Sequence, residues 1–123
     1  MLQHVAFAIN DPEEIDAFYK NVLHFTILRT FSINENVSET VFNVPEEVDV
    51  YVMGNNDLEF EMFITPLEER KVFSHVCLKY RQSEALYHRA ISAGYKAVSR
   101  KGMSSQTYFI WDRSGNMFEI KEQ

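Results

Sequence analysis

Apolar and polar positions alternate at the start of the chain. In HVAFAI, residues 4–9, Val5, Phe7 and Ile9 fall on one side, and His4, Ala6 and Ala8 on the other. A period of two predicts a strand with one buried face. The period then lengthens: Ile15, Phe18, Tyr19, Val22 and Leu23 lie on one face of a helix. Asp11 suits its N-cap, Pro12 its first turn, and Glu13 and Glu14 its positive end. β-Branched and aromatic residues predict strands over residues 26–32, 39–44, 48–53 and 58–64, with 48–53 also readable as a continuation of the preceding strand across Pro45. Asn55-Asn56-Asp57 marks a turn before the last of these.

The same order recurs about seventy residues later. HVAFAI at 4–9 matches HVCLKY at 75–80, and AFYK at 17–20 matches ALYH at 85–88. FEMF at 60–63 matches FEIK at 118–121. In the second copy Ser83 can cap a helix with the stripe Leu86, Ala90 and Ile91, and Gly94 is a natural stop. Each helix gives way to another strand-like run, and in the second copy strands over residues 106–111 and 117–121 then flank a Ser114-Gly115-Asn116 turn. The expectation is an α+β fold built from strand, helix and three strands, twice over: module 1–69 and module 70–123.

Strand parity then assembles the candidate chemistry. His75, Cys77 and Lys79 oppose Val76, Leu78 and Tyr80, so this histidine also lies opposite the apolar set. Glu59 and Glu61 oppose Phe60 and Met62, and Glu119 and Lys121 oppose Phe118 and Ile120. Each module thus puts one histidine and at least one glutamate on its non-core face. Two such sheets curled around one cavity would bring His4, Glu61, His75 and Glu119 together. Two imidazoles and two carboxylates suit Zn, Ni, Mn, Co or Fe as a divalent ion, one per site. A solvated face is the ordinary reading of any one of these residues alone. Lys79 and Lys121 share the candidate face and suit an anionic substrate or a solvated rim. Cys77 reads best as a small wall residue.

Composition narrows the classes of function. Of 123 residues, 46% are hydrophobic and 14% aromatic, enough for one real core, and a disordered chain is excluded. The net charge of −6 argues against nucleic acid or an anionic membrane as partner. One cysteine excludes an internal disulfide framework. No apolar run approaches the roughly 20 residues of a membrane span, and the first residues lack a cationic leader, so a cytoplasmic location is expected. The charge itself is divided. Residues 1–69 hold fourteen acids against Lys20 and Arg29, whereas residues 70–123 hold ten basic residues against four acids. That division predicts two units meeting through complementary charge.

The chain resembles the vicinal oxygen chelate superfamily, which groups glyoxalase I, bleomycin and fosfomycin resistance proteins, extradiol dioxygenases and methylmalonyl-CoA epimerase. The resemblance rests on His4-Val5, Asp11-Pro12-Glu13-Glu14, Phe18-Tyr19, Val22-Leu23 and Phe73-Ser74-His75-Val76. Its most specific part is the closing run from Phe109 to Glu119, with its Asp112-Arg113-Ser114-Gly115 turn. It implies two βαβββ modules pairing into a curved mixed sheet with a central cup and helices on the outer face. It implies metal ligands at His4, Glu61, His75 and Glu119, with Glu61 preferred to Glu59 because it mirrors Glu119. It implies a homodimer and a small-molecule substrate. The implied chemistry is that of a metal-dependent lyase or isomerase that chelates two substrate oxygens and stabilises an enolate, with Glu61 or Glu119 moving the proton. The alternative is a metal-free drug-sequestering protein of the bleomycin-resistance type. Two positions depart from the family. His24 stands where a glycine usually follows the helix, and Ala8 stands where glyoxalase I carries an arginine.

Overall fold

A computed structural model of the protein describes residues 2–55, 57–66, 74–103 and 105–123. The predicted repeat is realised as two four-stranded sheets of the same connectivity. The first contains β1 (His4–Ile9), β2 (Thr26–Ile33), β3 (Val48–Asn55) and β4 (Leu58–Ile64), in the order β1-β4-β3-β2. The second contains β5 (His75–Tyr80), β6 (Ala97–Lys101), β7 (Gln106–Trp111) and β8 (Met117–Glu122), in the order β5-β8-β7-β6. The first and last strands of each module pair in parallel, and the other pairings are antiparallel. The result is a mixed α+β fold with no closed barrel. Asn56 of the predicted turn, Glu68, Glu69, Phe73 and the 69/70 module boundary lie outside the described residues.

Asp11 holds the turn before the first helical segment, its carboxylate accepting the Glu13 amide at 2.9 Å, but the N-cap position is Glu14 rather than the expected Asp11. The segment Ile15–Lys20 is π-helical rather than α-helical. The Asn21 amide donates to the Asp16 carbonyl and the Leu23 amide to the Phe18 carbonyl, five residues back in each case. Ile15, Phe18, Tyr19, Val22 and Leu23 are all buried. The segment closes at His24, whose φ is +60°, while the Phe25 amide reaches the Tyr19 carbonyl at 2.8 Å. This is the left-handed position that favours glycine. His24→Gly is therefore expected to stabilise the protein by about 0.5–1 kcal/mol. The gain should be larger in mild acid. Burial, then Arg89, holds the His24 imidazole below its ordinary value. The unfolded chain takes up that proton first as pH falls, so His24 lowers native stability below about pH 6.5. Urea midpoints at pH 8 and pH 5 measure both effects.

One predicted strand is a helix. Residues 39–44 do not extend; α1 (Glu35–Phe42) occupies most of that stretch, and β3 begins separately at Val48. The Asn34 side chain accepts the Val37 amide at 2.8 Å, and Asn43 ends the helix at φ +60°. Two asparagine caps thus outweigh the β-branched Val37, Thr40 and Val41, whose strand propensity is a weak prior. A second correction concerns α2 (Ser83–Ser92). Ser83 is its first residue, and its cap comes from the far end of the chain. The Glu122 carboxylate accepts the Gln82 amide at 2.9 Å and the Ser83 amide at 2.8 Å. The Ser83 hydroxyl and these amides hold the Glu122 carboxyl below its usual range. Leu86 and Ala90 are buried, but Ile91, expected in the same stripe, is exposed. Gly94 ends this helix at φ +85°.

Both modules share one core. Phe118 of β8 lies 5.3 Å from Phe7, 5.9 Å from Phe18 and 6.0 Å from Tyr19, ring centre to ring centre. Buried polar bonds tie the same seam. Glu14 is fully buried and accepts from the Tyr95 hydroxyl, from the Arg113 amide at 2.8 Å and from the Arg113 guanidinium at 3.3 Å. Asp112 accepts the Tyr19 hydroxyl at 2.6 Å, and Asn116 donates to the Ala8 carbonyl at 3.0 Å. Tyr80 donates to the Leu23 carbonyl at 2.8 Å. Glu14–Arg113 is the one ion pair among the described residues that crosses the seam. The modules therefore meet through aromatic packing and hydrogen bonds, and among the described residues Glu14–Arg113 is the only opposite-charge pair across the seam.

Candidate metal centre

The repeat sets the geometry of the candidate ligands. In the parallel pairing of β1 with β4, His4 is opposite Glu59 and Ala6 is opposite Glu61. In the pairing of β5 with β8, His75 is opposite Met117 and Cys77 is opposite Glu119. In both sheets the histidine therefore sits one same-face step before the residue opposite the glutamate. The two diagonals are equivalent. Each brings imidazole and carboxylate together: His4 Nε2 is 3.5 Å from Glu61 Oε1, and His75 Nε2 is 3.1 Å from Glu119 Oε2.

The neighbours separate Glu61 from Glu59. Glu59 pairs with the Arg29 guanidinium at 3.5 Å, whereas Glu61 is the carboxylate beside His4. On the other sheet Lys121 Nζ lies 3.4 Å from the second oxygen of Glu119. Cys77 is exposed on the same face. Partial burial, then the Glu119 carboxylate, pushes its thiol above the ordinary value. That keeps it protonated at neutral pH and supports its reading as a wall residue. Tyr108 belongs to the core and stacks on Tyr87 at 4.7 Å, and Trp111 lies under Lys96, 4.3 Å from ring centre to Nζ.

The four candidate ligands do not meet within one chain. No group of three or more His, Cys, Asp or Glu side chains able to hold a metal occurs among the described residues. Each sheet instead presents a two-residue half-set of one imidazole nitrogen and one carboxylate oxygen. These donors suit a borderline divalent ion, and a pair leaves most of its coordination to other ligands.

A family model described as Glyoxalase/Bleomycin resistance protein/Dioxygenase superfamily matches residues 1–120. The chain belongs to this superfamily. No curated protein matches it in sequence. Among solved structures it is similar to the fosfomycin resistance protein FosX from Listeria monocytogenes, with a TM-score of 0.76 and 14% identity. That match covers 100% of this chain and 93% of the other. It is also similar to a glyoxalase family protein from Enterococcus faecalis, with a TM-score of 0.73, 18% identity and coverage of 98% and 95%. A mutant of the Listeria protein complexed with Mn(II) and 1S,2S-dihydroxypropylphosphonic acid matches with a TM-score of 0.74, 13% identity and coverage of 98% and 90%. At these identities the likeness shows the glyoxalase-superfamily fold. No helix among the described residues is long and apolar enough to cross a membrane.

Two features at or beside the site were not anticipated from sequence. The helix α1 covers one end of the candidate face of the first sheet, where its Phe42 packs on Phe63 at 5.3 Å. The Asp112 turn is a structural clamp: Asp112 also accepts the Ser114 and Asn116 amides and the Asn116 side chain. Asn34 and Asn43 were the available signal for the helix. Nothing local in the sequence announced the clamp, because Tyr19 lies in the other module.

Proposed function

We propose that the protein is a metal-dependent lyase or isomerase acting on a small oxygenated substrate. The observation that supports this reading is the pair of equivalent His–Glu diagonals, one on each sheet. Two unrelated surface residues have no reason to repeat their register in both modules. His4, Glu61, His75 and Glu119 would hold the ion, with the half-sets supplied by two chains of a homodimer. A divalent cation bound there supplies Lewis acidity toward two neighbouring substrate oxygens. Within this reading Glu61 or Glu119 takes or returns the substrate proton. Lys121 beside Glu119 adds positive charge for an anionic substrate. The Mn(II) complex of the Listeria protein is a precedent for metal on this fold.

Metal content of protein purified without a histidine tag tests the reading. Stoichiometric Zn, Ni, Mn, Co or Fe is expected in the wild type, with loss from His4→Ala and from His75→Ala. Removing a ligand should weaken binding beyond the about 10–100-fold typical of an outer partner. Metal-free wild type, indifferent to both substitutions, would sink it. Tight binding of a bulky cationic drug by that metal-free protein would favour sequestration.

A further inference from the structure

We infer that the cavity beneath α1 is a specificity pocket for an uncharged, aryl-sized group of the substrate, a reading that rests on the proposed site at His4 and Glu61. The cavity measures about 280 Å³ and is lined by Ala6, Ala8, Ser38, Phe42, Val48 and Phe63 among others. It follows directly from the candidate ligands. His4, Ala6 and Ala8 alternate onto one face of β1, so the cavity starts one same-face step, about 7 Å, from His4. Across the ladder Glu61 and Phe63 lie opposite Ala6 and Ala8. Val44 and Val48 add apolar surface to the same cavity. A substrate held by its oxygens at His4 and Glu61 would therefore point its remaining carbon skeleton under the helix.

Three observations define what fits. No charged side chain of the described residues lines the cavity, so a charged group would be desolvated there without compensation. An engineered apolar cavity of roughly 150 Å³ holds benzene, so about 280 Å³ admits a ring with a short substituent. Ser38 is 1% exposed at the cavity wall, and its hydroxyl has no hydrogen-bond partner. A buried hydroxyl without a partner is uncommon in a folded protein. One step of its side-chain torsion between staggered wells would offer it to a carbonyl or hydroxyl on the ligand. Thr65, the other hydroxyl at the cavity, already donates to Glu46 at 2.7 Å. Among the described residues the second module has no helix between β6 and β7, so only one half of the candidate site selects this group.

Metal-free protein titrated with acetophenone and with ethylbenzene, followed by NMR of the Ala6 and Ala8 methyl groups, tests the inference without turnover. Both ligands should shift both methyls. Ser38→Ala should move the preference about tenfold toward ethylbenzene, the size of one lost hydrogen bond. Val44→Phe, or Ala8→Val should the first variant not fold, should abolish binding of both. Methyl resonances that stay fixed, or a preference untouched by Ser38→Ala, overturn the pocket. The two readings fail separately. Metal retained by a chain that ignores acetophenone removes only the pocket, and acetophenone bound by a chain that never takes metal removes only the metal site.

Discussion

Mixing His4→Ala chains with His75→Ala chains should restore metal binding that neither variant shows alone. The reason is the separation of the two half-sets. Each chain carries His4 with Glu61 on one sheet and His75 with Glu119 on the other, and among the described residues no larger ligand group forms within it. If two chains complete each site, a homodimer of either variant lacks one imidazole at both sites. A mixed dimer concentrates both losses in one site and leaves the other whole. Random exchange makes about half of the dimers mixed, each with one of its two sites intact. Metal content should then return to about a quarter of the wild-type level after co-refolding. Recovery of nothing, with dimers shown to have exchanged, would dismiss the shared site. Neither single variant should unfold, because His4 and His75 are exposed on the face opposite the core.

Asp112→Ala should cost about 3 kcal/mol, lowering the melting temperature by about 10 °C. Asp112 is buried and accepts from the Tyr19 hydroxyl, the Asn116 side chain and two backbone amides. Truncation leaves these donors unpaired where water does not reach, and an unmade buried bond costs more than a made one contributes. Asp112→Asn keeps the shape and most acceptors and should cost about 1 kcal/mol. The two variants also differ in pH dependence. Burial, the largest influence, raises the Asp112 carboxyl above its ordinary 3.8, although Tyr19 and Asn116 oppose the shift. The native state therefore holds this proton to higher pH than the unfolded chain. The associated stability is fully present below pH 3.8 and is lost as pH rises through the native value. Burial likewise pushes the Tyr19 phenol well up, so it remains a donor throughout. Asp112→Asn should abolish this acid-side slope. Urea midpoints of wild type and Asp112→Asn, compared stepwise from acid to neutral pH, isolate it. Parallel curves would mean that the carboxyl titrates alike in both states.

The fold was legible to different depths in different places. Strand parity is local, since neighbouring side chains must alternate, and so HVAFAI and HVCLKY showed their core faces without any partner in view. Register is not local. The observed ladder puts Glu59 directly opposite His4, and only the directions of the side chains bring Glu61 to His4 along the diagonal while Glu59 turns to Arg29. Over residues 39–44 strand propensity points the wrong way, because the cap Asn34 lies outside the stretch and together with Asn43 fixes a helix across most of it. Ser83 was a reasonable cap by residue type, but Glu122, about forty residues away, takes its place.

By itself the sequence determined the doubled βαβββ order, the core faces of β1, β4, β5 and β8, and the placing of His4, Glu61, His75 and Glu119 opposite those faces. All of these follow from periodicity and turn chemistry within a few residues. Tertiary structure decided the matching diagonals, the separation of the two half-sets, the Asp112 clamp and the cavity under α1. These depend on contacts between residues far apart in the chain, whose partners are selected by packing of the shared aromatic core.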